Sequence, residues 1–498
     1  KMNTFHLLIV MFSMLSLLSL LSIPYVVATC LLLLPFLLTL HRRRHRTPSL
    51  SQSNCATIGF YHPACSSGGG GERVLWCMIS ILLKNRPNIR MVVYTGDGRD
   101  TFGPETSYAE GIVKHVSDHF HVDLKGGEDL WTRLSFVHVR DEYEAFKKKS
   151  SGARRFTLVM ESIYHMVLAY TCLKKSTPDI FFDTTGSAFT FIIAKYLFGC
   201  KIFAYVHYPT ISTDMLCLVW KRRFSYMNAG TVSSSQFITY VKMVYYILFG
   251  VLYGLVGSTA DVVMVNSNWT KNHIRSLWKF SKGNTIVLYP PCDTDALESI
   301  PLKGRENMIL SIGQFRPEKD HALQLKAFAL FLNKKPANTL KNCNPKLVLL
   351  GSCRGPDDED RIRDLRKLAE DLGVAPQVEF VINCPFPELR TQLSRASVGL
   401  HTMWNEHFGI GVVEMMAAGC VTVAHDSGGP KEDIIERDVG GMLASSPENY
   451  ADAMNRAHLW GDADCKENVQ MRKAGRERAR RFSNEAFEEG FLRILSSL

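Results

Sequence analysis

The chain contains no Cys-x-x-Cys pair. Its 13 cysteines are an odd number scattered over 498 residues. That spacing excludes a disulfide framework and a structural zinc site, and it suits a reducing compartment. Two phosphate-binding signatures are also missing. No Gly-Lys-Ser/Thr follows a glycine loop, so there is no Walker A motif, and no Gly-x-Gly-x-x-Gly marks a dinucleotide fold. No internal repeat and no nucleic-acid motif appears. The excess of basic residues, +10 overall, is dispersed in short clusters such as Lys147-Lys148-Lys149, which reads as solvated surface biased toward a membrane face and not as a nucleic-acid footprint. With 46% hydrophobic and 21% charged residues, disorder is not expected, and the length implies more than one core.

What the N-terminus lacks is charge. Residues 5 to 40 carry no acidic or basic side chain apart from one histidine. The run exceeds the roughly 20 apolar residues of a single span and is too long for the apolar core of a cleaved signal peptide. We read residues 1–46 as a membrane anchor closed by the basic flank His41-Arg-Arg-Arg-His-Arg46, with Pro24 and Pro35 able to break it. By the positive-inside rule, that flank and the remainder of the chain face the cytosol. A second apolar stretch, 237–257, is interrupted only by Lys242. A single crossing there would separate the two halves of the proposed site, so it is expected to lie on or in one leaflet. Asn268-Trp-Thr matches a glycosylation sequon, which a cytosol-facing domain would never use.

From residue 57 the chain alternates short apolar runs with helical patterns. Thr57–Tyr61, Arg90–Thr95, Leu134–Val139, Asp179–Asp183, Lys201–His207 and Asp261–Asn266 form one series. Met308–Gly313, Lys346–Gly351, Val378–Ile382, Val398–His401 and Val421–His425 form another. Near-continuous apolar runs of this length fit strands covered on both faces. Tyr289-Pro-Pro separates the series. The expected architecture is α/β, with two doubly wound Rossmann-like domains facing a cleft. A first domain spans 47–300, and a second domain with a terminal helix spans 301–498. Ligands belong at the carboxyl ends of the strands.

Two glycine loops carry the chemistry. Gly68 to Gly71 open a helix in which Val74, Leu75, Met78, Ile79, Leu82 and Leu83 share a face. Backbone N–H groups at such a helix start can meet an anion or a substrate, Gly70 and Gly71 most directly. In Glu406-His-Phe-Gly-Ile-Gly-Val-Val-Glu414 two carboxylates flank Gly409 and Gly411. A helix is expected from near Gly409 to Gly419, and eight residues of helix would separate the carboxylates by about 12 Å, suited to a sugar at one end and a ribose diol at the other, with the N–H groups near Phe408, Gly409, Ile410 and Gly411 on a diphosphate. Arg316 and Lys319 could neutralise that leaving group. His207, at a strand end, could bind a sugar hydroxyl. Asp293-Thr-Asp295 matches a metal-binding Asp-x-Asp, but it follows two prolines with no strand end to position it. No other cluster has metal spacing, so no metal cofactor is expected.

The Glu-x7-Glu segment with Gly419-Cys-Val-Thr-Val-Ala-His-Asp-Ser-Gly-Gly-Pro430 resembles family 4 retaining glycosyltransferases of the GT-B fold. Phe60-Tyr-His-Pro, Gly68-Gly-Gly-Gly-Glu-Arg-Val-Leu-Trp76, Val206-His-Tyr-Pro-Thr-Ile-Ser, Gly313-Gln-Phe-Arg-Pro-Glu-Lys-Asp-His321 and Trp404 to Glu414 extend the resemblance, over about 57 to 490, to the dolichol-pathway α-1,2-mannosyltransferases. The resemblance implies transfer of the fourth and fifth mannoses from GDP-mannose to a dolichyl-diphosphate-linked Man(3)GlcNAc(2), on the cytosolic face of the endoplasmic reticulum membrane, and a possible complex with other mannosyltransferases of that pathway. It makes Glu406, His207 and Lys319 catalytic. Many family members carry arginine where this chain has Gln314, and Arg316 is the candidate replacement. The alternatives are another family 4 lipid-acceptor transferase with a different nucleotide sugar, or a non-catalytic membrane scaffold.

Overall fold

The computed structural model describes residues 56–97, 108–120, 122–124, 129–150, 157–212, 215, 236–281, 285–334, 344–457 and 463–496. The N-terminal anchor and its basic flank lie outside the described residues. Two wholly parallel sheets organise the rest. The first contains β1 (Ala56–Tyr61), β2 (Ile89–Thr95), β3 (Leu134–His138), β4 (Ile180–Asp183), β5 (Lys201–Val206), β6 (Val262–Val265) and β7 (Thr285–Val287) in the order β3-β2-β1-β4-β5-β6-β7. The second contains β8 (Glu306–Ile312), β9 (Lys346–Gly351), β10 (Val378–Ile382), β11 (Ala396–Leu400), β12 (Val421–His425) and β13 (Met442–Ala444) in the order β10-β9-β8-β11-β12-β13.

The apolar runs explain this arrangement. Parallel strands joined by crossover helices are covered on both faces, and β11, for instance, is buried at every position. Each sheet sits between two apolar layers. In the first, Phe60, Phe182 and Phe203 face one layer, while Tyr61, Phe181 and Ala204 face the other. Strand order reverses between β1 and β4, and again between β8 and β11. At such switch points the connecting loops diverge and leave a crevice beyond the strand ends.

Six helices matter for the site: α1 (Gly70–Asn85), α2 (Thr157–Lys175), α3 (Gln236–Gly257), α4 (Asn268–Leu277), α5 (Ile410–Ala417) and α6 (Asn484–Ser496). The face of α1 expected to be apolar is buried throughout, and Trp76 joins it, donating from Nε1 to the Cys65 carbonyl at 2.8 Å.

The terminal helix departs from the expected domain plan. The sequence pattern assigns it to the second domain, but α6 returns to the first. There Phe487, Phe491 and Ile494 enter the core with α1 and β4, and Phe491 lies 6.3 Å from Phe182 between ring centroids. The second sheet's layers are already filled by their own helices, whereas this face of the first sheet needs α6 to cover it.

Helix α3 has two unlike faces. Phe249 and Tyr253 are buried, and Gly254 and Gly257 let Leu277 and Trp278 approach closer than a side chain would permit. Tyr240, Ile247, Leu248, Val251, Leu252 and Leu255 are exposed. No helix among the described residues is long and apolar enough to cross a membrane. The described cysteines are all free thiols.

Candidate active site

A cleft of about 1060 Å³ runs between the two sheets. Its walls are the loops that leave β1, β4, β5, β8, β9, β10 and β11 at their carboxyl ends, together with the N-termini of α1 and α5. The two glycine loops meet across it. A Cβ on Gly70 would stand 2.6 Å from Ile410 Cδ1, and one on Gly71 would stand 3.4 Å from His207 Nε2. A side chain at Gly70 would therefore have to push the end of Ile410 back from the opposite wall, whereas one at Gly71 would only touch His207 of the same domain.

On the second-domain side, Glu406 is held by three groups. Lys319 Nζ lies 2.5 Å from its Oε2, His401 Nε2 is 3.2 Å from the same oxygen, and the His407 N–H donates to Oε1 at 3.2 Å. Burial alone would raise this carboxyl, but Lys319 and His401 hold it well below the usual carboxylate range. Lys319 reaches it because Pro317–Lys319 form a tight turn ending at Asp320, which takes the left-handed conformation and caps the next helix through Leu323 N. Just beyond, Gly409 takes a left-handed φ of 113° and starts α5 with no side-chain cap. Uncapped N–H groups therefore line the cleft, as anion binding requires.

On the first-domain side, burial pushes the His207 imidazole down to about 3, so it is neutral at physiological pH, and its Nε2 has no partner among the described residues. Glu72 turns back over the start of α1, 3.5 Å from His62 Nε2, while His62 Nδ1 lies 2.8 Å from Thr184 Oγ1. Burial opposes ionisation of Glu72, but the bond to His62 wins and lowers its carboxyl. A carboxylate thus already occupies the α1 N-terminus, which suits that loop to hydroxyl groups better than to a phosphate.

The domains are pinned beside the cleft. Asn268 N and Nδ2 donate to Asp433 at 2.9 and 2.7 Å, and Tyr289 Oη donates to Asp433 at 2.9 Å. Tyr208 stacks on His407 at 4.0 Å between centroids. The asparagine of the sequon is therefore engaged between the domains.

The family comparisons agree with this architecture. Residues 55–278 match the family described as ALG11 mannosyltransferase N-terminus, and residues 293–478 match glycosyl transferases group 1. The human GDP-Man:Man(3)GlcNAc(2)-PP-Dol alpha-1,2-mannosyltransferase is 44% identical over 93% of this chain and 91% of its own length. The Dictyostelium discoideum protein of the same name is 42% identical over 89% of this chain and 85% of its own. The chain belongs to this family of α-1,2-mannosyltransferases. In fold it is similar to Anabaena HepE, solved with UDP-glucose, with a TM-score of 0.56 at 16% identity over 89% of this chain and all of that one. It is also similar to a sucrose-phosphate synthase from Thermosynechococcus elongatus, with a TM-score of 0.57 at 17% identity over 89% of this chain and 98% of that one.

For this mannosyltransferase-family chain the cleft gathers Gly70, Gly71, His207, Lys319, Glu406, Phe408, Gly409, Ile410, Gly411 and Glu414. Phe408 contributes its backbone, since its ring packs on Tyr289 and Phe482. Two expectations need correction. Glu406 precedes α5, so the 12 Å helical spacing to Glu414 does not apply; the Gly409 turn intervenes. Arg316 is not among the cleft-lining residues. It stands at the start of the Pro317 turn, half-buried, with its guanidinium 4.0 Å from Glu318. Gln314 lines the cleft instead.

The cation that does line the cleft with Glu414 is Arg73, tied to the Pro291 and Phe120 carbonyls at 3.1 and 2.7 Å. Burial raises the Glu414 carboxyl and Arg73 opposes it. Sequence reasoning also missed His62, Glu72, His401 and the loop Asn383–Pro387. The two histidines could have been found by their positions just past β1 and β11, the same signal that singled out His207.

Proposed function

We propose that this chain transfers mannose from GDP-mannose to the 2-hydroxyl of a mannose on dolichyl-diphosphate-linked Man(3)GlcNAc(2), adding the fourth and fifth mannoses with retained configuration. The observation that carries the proposal is the Lys319–Glu406 pair at the uncapped start of α5, facing Gly70, Gly71 and His207 across one cleft. The cation and the helix N-terminus stabilise charge developing on the departing diphosphate. Glu406, kept ionised by Lys319, accepts hydroxyls of the donor mannose, and Glu414 takes the ribose diol. His207, neutral and unpartnered, orients a sugar hydroxyl. The leaving phosphate oxygen draws the proton from the acceptor hydroxyl on the same face of the sugar, so no carboxylate nucleophile is needed.

The reaction draws its positive charge from protein groups and proceeds without a metal. In this reading an anchor at residues 1–46 and the exposed apolar face of α3 hold the site at the cytosolic face of the endoplasmic reticulum membrane, where other mannosyltransferases of the same pathway would be its partners. The test uses the full chain, labelled GDP-mannose and a synthetic lipid-linked trimannosyl acceptor, followed by linkage analysis. The expected product carries new α-1,2-mannose, GDP competes far better than UDP, and EDTA leaves the rate unchanged. An unmodified acceptor, or equal competition by UDP, refutes the reading.

A further inference from the structure

A second cavity, of about 300 Å³, opens on the first domain beside the cleft. That volume is at the small end of organic-ligand pockets. One wall is a single face of α2, where Leu158, Glu161, Ser162 and His165 recur at helical spacing. The opposite wall is the loop after β4, with Thr185, Ser187 and Phe189. Thr185 lines both this cavity and the main cleft.

The lining is built for hydroxyl groups and not for an anion. It contains a carboxylate, an imidazole and several hydroxyls beside an aromatic ring, and no lysine or arginine. The polar groups are fixed from behind. His165 Nδ1 is 2.8 Å from Tyr61 Oη. Thr185 Oγ1 donates to Asp183 Oδ1 at 2.7 Å, and Ser187 Oγ lies 2.9 Å from Thr185 Oγ1. The other oxygen of the fully buried Asp183 has no partner among the described residues. Glu161 is not so anchored and stands at the rim, its carboxyl raised by partial desolvation. Carboxylates that accept paired hydroxyls beside an apolar surface are a common way to hold a sugar ring.

Helix α2 shows what lies outside the rim. Its next stripe, Met160, Ile163 and Val167, is exposed and apolar, and α3 packs alongside, with Tyr245 Oη taking the Val159 N–H at 3.3 Å and Phe249 against Phe189 at 5.5 Å between centroids. The exposed face of α3 therefore continues the apolar stripe. A ligand seated here would place an uncharged polyhydroxy part inside and a hydrocarbon part outside, against Thr185, which the cavity shares with the cleft.

We propose that this cavity is an acceptor subsite, holding a non-reacting hexose of the lipid-linked oligosaccharide while the reacting mannose reaches His207. The inference rests on the proposed mannosyl transfer and deepens it. The test compares the wild-type chain with Glu161→Ala, which removes the rim carboxylate, and Ser162→Leu, which fills the cavity from the helix. Two acceptors are used: the full lipid-linked trimannosyl compound and a lipid-linked compound with only the reacting mannose.

The expected result is a KM for the full acceptor raised about tenfold or more in each variant, by loss of a charge-assisted hydrogen bond in Glu161→Ala and by exclusion of the sugar in Ser162→Leu. The KM for GDP-mannose and the KM for the short acceptor should stay at their wild-type values. Unchanged KM for the full acceptor overturns the subsite, as does an equal loss on both acceptors, which would mark a general structural role. A wild type that transfers nothing to either acceptor sinks the mannosyl-transfer reading instead, and the subsite with it.

Discussion

Replacing Lys319 by methionine keeps most of the side-chain volume and removes the charge 2.5 Å from Glu406 Oε2. Glu406 would be left in a mostly buried position, its side chain 13% exposed, with His401 and the His407 N–H still in place. Breaking a fully buried ion pair costs about 3–5 kcal/mol. The remaining hydrogen bonds and the partial exposure reduce this, so the expected destabilisation is about 1–3 kcal/mol.

The pH dependence gives the sign. In the wild type Glu406 is held below its unfolded value of about 4.3, so it contributes stability above that pH and loses it as the pH falls through the lower folded value. In Lys319→Met, burial prevails and the carboxyl moves up. The deficit against wild type should be largest at neutral pH and shrink as the pH falls, because the variant's carboxyl takes up a proton that the wild-type carboxyl, held low by Lys319 and His401, does not. The catalytic loss is larger. A preorganised charge aimed at a leaving group contributes about 10²–10³ in kcat. The assays are denaturant melts from pH 3 to 7 and initial rates with saturating GDP-mannose. Because Lys319 and Glu406 act as one unit, Lys319→Met/Glu406→Gln should be scarcely slower than either single variant. Additive losses, or a Lys319→Met enzyme within threefold of wild type, would refute the reasoning.

Three further outcomes rest on the same geometry. Glu414→Ala should raise the KM for GDP-mannose about tenfold with kcat little changed, the pattern of lost ground-state binding; an unchanged KM counts against ribose contact. Gly70→Val should impair transfer by driving a side chain into Ile410, and adding Ile410→Ala should restore a good part of the rate; failure of that rescue means the glycine serves something other than close approach. His207 is neutral in the folded protein down to about pH 3, whereas an unfolded histidine titrates near 6.5. Protons therefore bind the unfolded state first, and stability falls as the pH drops below about 6.5. His207→Asn should flatten that limb by at most about 1.4 kcal/mol per pH unit, readable in melts from pH 7 to 4, and an unaltered slope would show that His207 is already charged in the folded chain.

Much of this fold was legible because parallel strands buried on both faces announce themselves as apolar runs. Two edge strands, β7 and β13, were not seen. Each is three residues long, too short for any periodicity. The terminal helix follows the second domain in sequence but packs on the first sheet, because chain position does not say which core Phe487, Phe491 and Ile494 enter. The strand-end position that marks His207 marks His62 and His401 equally, since they stand just past β1 and β11. Arg316 is a candidate by sequence and Arg73 is not, because a charge in a sequence has no direction. Only the Pro317 turn, which brings Lys319 into the cleft, and the tether of Arg73 to Pro291 decide which cation reaches the site. The helix starts at Gly409 as expected, and for that reason only the spacing of about 12 Å drawn from Glu406 through eight helical residues fails.

Helix α6 has a consequence for how the protein is made. The first sheet lacks part of its cover until residues 484–496 have left the ribosome, although its strands are translated long before. Domains that fold as units usually do so in order of synthesis, but here the opening half must wait for the closing one. A premature stop in that helix would leave the second domain with its own core and strip the first of Phe487, Phe491 and Ile494, so damage at one end of the message would be felt at the acceptor side of the cleft.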